Sequence, residues 1–463
     1  MSTNSSGTSG LGTFAHLTTA VFFIAVAASA CLMPLQNDTW WHLRAGEEMW
    51  SRRAVILVDE FSFTAAGRYW PNHEWLSEVF MYLAFAAGGL RGLTLLAAGC
   101  VTLAIALSWR LMRGTSAAKL LLMALGTTSL VLVWAPRPHV FTLVLLMSVL
   151  HLALRRLYWP LPLLFAVWAN LHGGVALGLV ALGGIALSDG YLFGVSRALR
   201  LGPWIGLCFV ATLLTPLGVD LWRTIPESIN KSVANGISEW RPPQVGLRDL
   251  GFWLTAALFL AVLARRWKTL TTPETHALPV VAVLLLPLAL RYSRNITPFV
   301  LVALPALSQM IQWPSSLTAQ HRGRERRGVN AVLACAFLAA GVTLVLKTWA
   351  GPSPRLKWQP VSLPVLEGVR TCDGRLYNRF DDGGYLIWFA RHVPVFVDSR
   401  QDPYPLEFLQ EHLHNEQTGE FKSVFAKYGI TCAFLPRLSP TAISLQANGW
   451  RVTASDEQWL VLR

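Results

Sequence analysis

The sequence is poor in charge. Asp, Glu, Lys and Arg make up 14% of its 463 residues, against about 25% in a typical soluble domain. With 53% hydrophobic residues beside that shortage, an ordinary soluble enzyme is excluded. Six cysteines are too few for a disulfide framework. Cys31, Cys100, Cys208 and Cys335 lie in apolar runs and read as small core hydrophobes. Cys372 and Cys432 lie near the C-terminus, where export would let them pair. The chain also has no GxSxG, Walker A, GxGxxG or paired CxxC motif and no long-period repeat.

What is present is a series of apolar runs approaching the roughly 17–25 residues that cross a bilayer. The net charge of +13 does not point to nucleic acid. Its Lys and Arg stand in short clusters between those runs, where the positive-inside rule places them. The fold class is a polytopic α-helical membrane protein with a small C-terminal soluble α/β domain.

Read in order, residues 1–13 are polar and expected to be disordered. Residues 14–350 form a membrane domain of about eleven spans, including an outer loop at 36–77, and residues 351–463 form an extracytoplasmic domain. The first run ends in ASAC, like a cleavage site. Its length and the lack of Lys or Arg before it favour an uncleaved span. Gly88–Gly92 should break the chain between an interfacial helix and the second span. WANLHGG, between apolar stretches at 161–169 and 175–187, should be a helix break near the outer surface, because nine or ten residues cannot cross about 30 Å. Basic clusters at Arg110–Lys119, Arg155–Arg156, Arg197–Arg200, Arg265–Lys268 and HRGRERRG (321–328) all fall on one side under this count. The N-terminus is then cytoplasmic and the tail outside, in a bacterial inner membrane. In the tail, RLYN, VPVFVD, TCAFLP and WRVTAS…WLVLR read as strands. YLIWFARH, PLEFLQEHL and GEFKSVFAKY read as helices.

Chemistry concentrates in the stretch Asp38–Glu78, which holds seven of 26 carboxylates, two of 11 histidines and five of 20 tryptophans. A connector so long and polar between apolar helices is usually functional. Asp38 follows the first span closely, with His42 one helical turn later on the same face. Asp38 suits a general base toward an acceptor hydroxyl or amine, with His42 orienting it or meeting a phosphate. It equally suits the N-cap of the helix TWWHLRAGEEM. His73 and Glu74 are further candidates. Asp38, His42, Asp59 and Glu60 carry ligand types that suit a divalent cation, although their spacing matches no tight metal motif.

Arg137, His139, His172, Arg241, Arg291 and Arg294 all map to the outer boundary of the membrane in this topology. A guanidinium presents a planar fork to phosphate oxygens, so this set suits the phosphate of a lipid-linked donor. Lipid headgroups or loop carboxylates are the alternative partners. His172, between Leu171 and two glycines, is either part of that set or a satisfied buried histidine. In the tail, Asp381, Asp382, Asp398, Arg400 and Asp402 read first as an Asp-Gly-Gly turn and a strand-end loop with internal ion pairs. A site for a sugar hydroxyl or an ion is the second reading.

The arrangement resembles the GT-C superfamily of membrane glycosyltransferases, which use lipid-phosphate-linked sugars. NDTWWHLRAGEEM resembles the opening segment of that family's first outer loop: Asp-Glu, an aromatic, then a helix ending in Met. Here the acidic pair is Asn37-Asp38. GRYWPNHEWLSEVF resembles the following Gly-x-x-Tyr…Pro-Pro…Trp-Leu segment, with Pro-Asn-His-Glu where the family has Lys-Pro-Pro. The likeness is specific over the first hundred residues and loose over the multispan body. The combination of DTWWHLRAGE, WANLHGG, YSRN and DDGGYLIW…VFVDSR is also similar to a group of bacterial multi-spanning membrane proteins.

The resemblance implies an inverting transfer of sugar from a polyprenyl-phosphate donor to a glycan, lipid or protein acceptor on the outer face. Asp38 would be the catalytic carboxylate, assisted by His42, His73 and Glu74. A non-enzymatic flippase or polysaccharide export component would share this topology without depending on Asp38. A structural membrane partner working through its tail is the third possibility.

Overall fold

A computed structural model describes residues 13–130, 134–313, 326–351 and 354–463. The expectation for residues 1–13 lies almost wholly outside these, as does most of the basic cluster at 321–328. The helices of the membrane region, in order, are α1 (Phe14–Cys31), α2 (Asn37–Arg52), α3 (Trp75–Leu111), α4 (Ser116–Leu130), α5 (His139–Leu154), α6 (Leu161–Leu171), α7 (Val175–Phe193), α8 (Val195–Leu199), α9 (Gly202–Ala211), α10 (Leu221–Ala234), α11 (Leu250–Arg266), α12 (Pro273–Arg291), α13 (Ile296–Met310) and α14 (Arg327–Trp349).

Two expected breaks are present. Gly88 (φ −148°) and Gly89 (φ +61°) interrupt α3, separating its first turns from the rest. Only glycine adopts that second conformation without a steric cost. His172 is extended (φ −169°, ψ 144°), and the His172–Gly174 link divides α6 from α7.

The expected eleven spans are not reproduced. Among the described residues five helices are long and apolar enough to cross a bilayer: Phe14–Cys31, Trp75–Leu111, Val175–Phe193, Leu250–Thr269 and Arg327–Trp349. Helices α5, α6 and α9 have 16, 11 and 10 residues. At 1.5 Å per residue they reach about 24, 17 and 15 Å, short of the roughly 30 Å hydrocarbon layer. A continuous apolar core joins α3, α5, α6, α7, α12 and α13 through residues such as Val101, Leu146, Phe165, Leu182, Val281 and Phe299.

The tail carries a four-stranded sheet of β1 (Arg375–Asn378), β2 (Ile430–Pro436), β3 (Val452–Ser455) and β4 (Trp459–Leu462), in the order β1-β2-β4-β3. The β1–β2 pair is parallel and the others antiparallel. The helices read at YLIWFARH, PLEFLQEHL and GEFKSVFAKY form at Gly383–Phe389, Leu406–Thr418 and Lys422–Tyr428. Cys372 and Cys432 are disulfide-bonded, with Cα atoms 6.2 Å apart.

VPVFVD is not a strand of this sheet. Val395 N–H donates to Phe61 O (3.0 Å), Phe63 N–H donates to Val395 O (3.1 Å), and the Asn378 amide meets Phe396 N and Val397 O. Its backbone groups are therefore used by the outer loop and by one side chain. The Asp-Gly-Gly turn is likewise corrected, because Asp382 precedes a helix that begins at Gly383. The two glycines serve close approach. A Cβ on Gly383 would lie 2.7 Å from Asp398 Cβ, and one on Gly384 would meet Asn37 O and lie 3.3 Å from the Trp41 ring.

The loop at 36–77 and the tail therefore share one core. Trp40, Trp41, Ile56 and Trp70 pack with Val365, Leu376, Leu386 and Phe434. Arg400 locks them together. It is fully buried between Asp59 (2.6 Å) and Asp398 (2.7 Å), and its guanidinium lies over the Phe61 and Trp70 rings.

Candidate active site

A cavity of about 1090 Å³ opens where the start of α2, the segment before α5, the α6–α7 link, α10 and the tail converge. Asp38, His42, His73, Glu74, Arg137, His139, His172, Arg241 and Arg294 all line it. Arg291 does not; at the end of α12 its guanidinium lies over the Tyr292 ring instead.

Asp38 is not the N-cap of α2. Gln36 takes that position, its N–H bonded to Thr39 Oγ1 (3.3 Å). Asp38 sits in the first turn, where a carboxylate complements the helix dipole, and is free to face the cavity. Its Oδ2 lies 2.8 Å from Arg137 Nη2, and its Oδ1 accepts the Ser399 hydroxyl. Trp41 Nε1–H fixes Ser399 Oγ from the other side (3.1 Å).

Arg137 reaches two further acceptors, Gln36 Oε1 (2.8 Å) and Glu239 Oε2 (3.1 Å). Glu239 also meets Arg294 Nη1 (3.4 Å), and the Arg294 guanidinium lies over the Trp240 ring at 4.4 Å. Burial alone would raise the Glu239 carboxyl, but Arg137, Arg294 and His139 hold it down at about 2. Two guanidinium groups thus converge on an anion supplied by the protein itself.

His172 is anchored from behind. Gly174 N–H donates to its Nδ1 (2.8 Å), and Thr142 Oγ1 is 2.9 Å from the same atom. Its Nε2 faces both Glu74 Oε1 and Arg294 Nη2, each at 3.3 Å. Burial, with Arg294 and the neighbouring histidines adding to it, keeps His172 well below the usual histidine range and so neutral. Gly174 has no room for a side chain: a Cβ would lie 2.8 Å from His172 Nδ1.

The Asn72-His73-Glu74 run is held by its neighbours. Glu74 N–H donates to Asn72 Oδ1 (3.2 Å), Trp75 Nε1–H to Asn170 Oδ1 (2.8 Å) and Ser77 Oγ–H to Leu171 O. Burial pushes the Glu74 carboxyl above its ordinary range, against the pull of His73, Arg137 and Arg294. His73 Nδ1 faces Asp402 Oδ2 at 3.9 Å.

The four residues read as metal candidates do not converge. Asp59 is sequestered by Arg400 and Ser62, and Glu60 pairs with Arg52 at 2.6 Å. Among the described residues no group of three or more His, Cys, Asp or Glu side chains is arranged to hold a metal ion.

Two members of the site escaped sequence reading, Glu239 in a short 3-10 turn (Ser238–Trp240) and Ser399 from the tail, and so did Glu78, which lies behind the cavity wall one turn beyond Glu74. Glu239 carried one signal, its place two residues before Arg241 in ISEWRPP. Asp398 and Arg400 form the internal ion pair read from the sequence, at 2.7 Å. Asp402 instead lines the cavity, where it accepts Ser228 Oγ–H at 2.5 Å.

No family model and no curated protein matches this sequence. Solved structures do. An oligosaccharyltransferase from Archaeoglobus fulgidus, tethered to an acceptor peptide containing the NVT sequon, aligns over 90% of this chain and 69% of its own, with TM-score 0.55 and 12% identity. AglB from the same organism, with an inhibitory peptide and a dolichol-phosphate, aligns over 91% and 69%, with TM-score 0.58 and 12% identity. ArnT from Cupriavidus metallidurans aligns over 96% of this chain and 97% of its own, with TM-score 0.53 and 14% identity. The chain therefore shares the fold of these structures, a helical body with a C-terminal domain.

Proposed function

We propose that this protein is a glycosyltransferase that moves a sugar from a polyprenyl-phosphate donor to an acceptor on the outer face of a bacterial inner membrane. One observation carries the reading. Asp38, on the helix that follows the first span, shares a cavity with Arg137, Arg294 and His172, which come from separate turns of the membrane body. An acid in contact with one guanidinium, with a second beyond Glu239, suits displacement at a sugar carbon, with the acceptor held by the acid and the leaving phosphate by the arginines. The shared fold supports a lipid-linked donor, since one neighbour holds a dolichol-phosphate and another an acceptor peptide.

In this reading Arg137, Arg294 and His172, with His139 and Arg241 at the cavity wall, take the donor phosphate, while Asp38, His42, His73 and Glu74 face the acceptor. The N-terminus is cytoplasmic and the tail lies outside. The Cys372–Cys432 disulfide suits that oxidising side. The test is transfer by purified protein from a panel of polyprenyl-phosphate sugars. Transfer that Asp38→Asn abolishes is the expected result. No transfer from any donor, by protein shown to be folded, overturns the enzyme reading in favour of an export role.

A further inference from the structure

Glu78 is a fully buried acid that the reading above leaves without a task, its carboxyl pushed well above the ordinary range by burial against the pull of the Asn72 hydrogen bond. It does not line the cavity, yet both oxygens are engaged. Oε2 accepts from Asn72 Nδ2 (2.7 Å), and Oε1 lies 3.0 Å from His42 Nδ1. The Asn72 amide is orientated by Glu74 N–H on its oxygen (3.2 Å), so its nitrogen must face Glu78.

Helices α2 and α3 touch closely enough for this because residue 46, one turn after His42, is glycine. A Cβ there would lie 2.6 Å from the Glu78 carbonyl carbon and 3.0 Å from Tyr82 Cβ. The His42 ring is 2% exposed and packs against the Trp41 ring at 3.6 Å, which limits its rotation. His42 Nε2 faces the cavity, 3.8 Å from Glu74 Oε2; when the ring proton is on Nδ1, toward Glu78, Nε2 presents a lone pair. That spacing is too long for a hydrogen bond and leaves Nε2 open.

We infer that His42, held in this tautomer by Glu78, is the group that takes the acceptor's proton, and that Asp38 positions the acceptor. The inference rests on the glycosyltransferase reading above. A Glu78 oxygen that accepts from Nδ1–H fixes Nε2 as the basic nitrogen. Asp38 is built for another task, since both its oxygens already accept from Arg137 and Ser399.

The step balances. The acceptor oxygen or nitrogen forms a bond to the sugar's anomeric carbon, and the bond from that carbon to the phosphate oxygen breaks. Its electron pair leaves with the polyprenyl phosphate, and the acceptor's proton moves to His42 Nε2. Glu74 is the nearest group to pass the proton on.

The charged and titratable groups facing His42 are Asp38 on its own helix, His73, Glu74 and Glu78 from the start of α3, Arg137 and His139 from the segment entering α5, and Arg400 from the tail. Burial first, then Arg137, His73 and His139, keep the ring neutral at neutral pH, which leaves Nε2 available.

The test has two arms on the full-length protein. In wild type labelled with ¹⁵N-histidine, with His42→Asn supplying the assignment, the ring shifts should show a proton on Nδ1 and a bare Nε2. A proton on Nε2 overturns the inference. In the transfer assay, Glu78→Gln should lower kcat by roughly 100-fold or more, with the donor KM little changed and the acid limb of the kcat–pH profile displaced. Wild-type transfer that neither Glu78→Gln nor His42→Asn alters also overturns it. No transfer by wild type overturns the glycosyltransferase reading instead, so the two failures are separable.

Discussion

The hydroxyl of Ser399 donates to the carboxylate of Asp38, 361 residues earlier in the chain. The tail thus supplies part of the wall around the acid on which the proposed function depends. Ser399 is fixed in turn by the Trp41 indole, three residues after Asp38. Helix α2, the cavity and the tail are therefore one mechanical unit.

Ser399→Ala should leave the fold intact and lower transfer by roughly 5- to 30-fold. It removes one donor from an Asp38 that Arg137 still holds, a loss on the order of 1–2 kcal/mol for a hydrogen bond to a charged group. Paired steady-state kinetics and thermal unfolding check this. A large fall in stability with unchanged kcat would make Ser399 a packing residue only.

Glu239 occupies the two guanidinium groups that the proposal assigns to the donor phosphate. Glu239→Gln should therefore tighten binding of a polyprenyl phosphate by about tenfold, since a competing anion is gone and about 1.4 kcal/mol is a factor of ten. Arg137→Met should do the opposite, leaving Asp38 and Glu239 facing one another without their shared cation. Displacement of a fluorescent polyprenyl-phosphate analogue measures both. Equal affinities in wild type and Glu239→Gln would show that the phosphate binds elsewhere.

Arg400→Met should destabilise the protein by roughly 3–5 kcal/mol, because Asp59 and Asp398 would remain buried without their cation. The outer loop should then detach from the tail. Limited proteolysis should show new cleavage near residues 59–65 in the variant and not in wild type.

Asp382 sets a pH dependence. Burial, against the pull of Arg379 at 2.9 Å, raises its carboxyl from 3.8 to about 7. Between those values the folded chain holds a proton that the unfolded chain has lost. Its contribution to stability is present in full below pH 3.8 and is lost as pH rises to about 7. Over that window the loss is on the order of 4 kcal/mol at 1.36 kcal/mol per unit. Melting of the full chain in detergent from pH 4 to pH 8 should show this fall, and Asp382→Asn should flatten it.

Gly46→Ala should separate α2 from α3, since the added methyl meets the Glu78 carbonyl. Loss of about 1–3 kcal/mol is expected for such overpacking. Activity should fall with it, because the same contact carries His42 to Glu78. Gly88→Ala, which meets nothing within 4 Å, is the control.

How far the sequence reached is clearest residue by residue. The kink at Gly88–Gly89 and the break at His172–Gly174 were both legible, because glycine placement is local chemistry. Asp38 and His42 could be placed on one helical face, since four residues nearly complete a turn. The tail's helices and three of its strand segments followed from periodicity. VPVFVD, though as apolar as a strand, spends its backbone groups on Phe61, Phe63 and Asn378. Such partners are a property of the folded chain, so alternation could not find them.

The sequence by itself determined that this is a membrane protein with an acid-rich loop after its first helix and a separate tail composition, because hydropathy and glycine positions act over a few residues. Only the tertiary structure decided which charges meet. It set Glu239 against Arg137 and Arg294, Ser399 against Asp38 and Glu78 behind His42, and it removed Arg291, Asp59 and Glu60 from the site. The physical reason is range. A Coulombic or hydrogen-bonded partner is chosen by separation in space, and the chain brings residues hundreds of positions apart to within 3 Å only once α2, α3, the turns of the membrane body and the tail have packed.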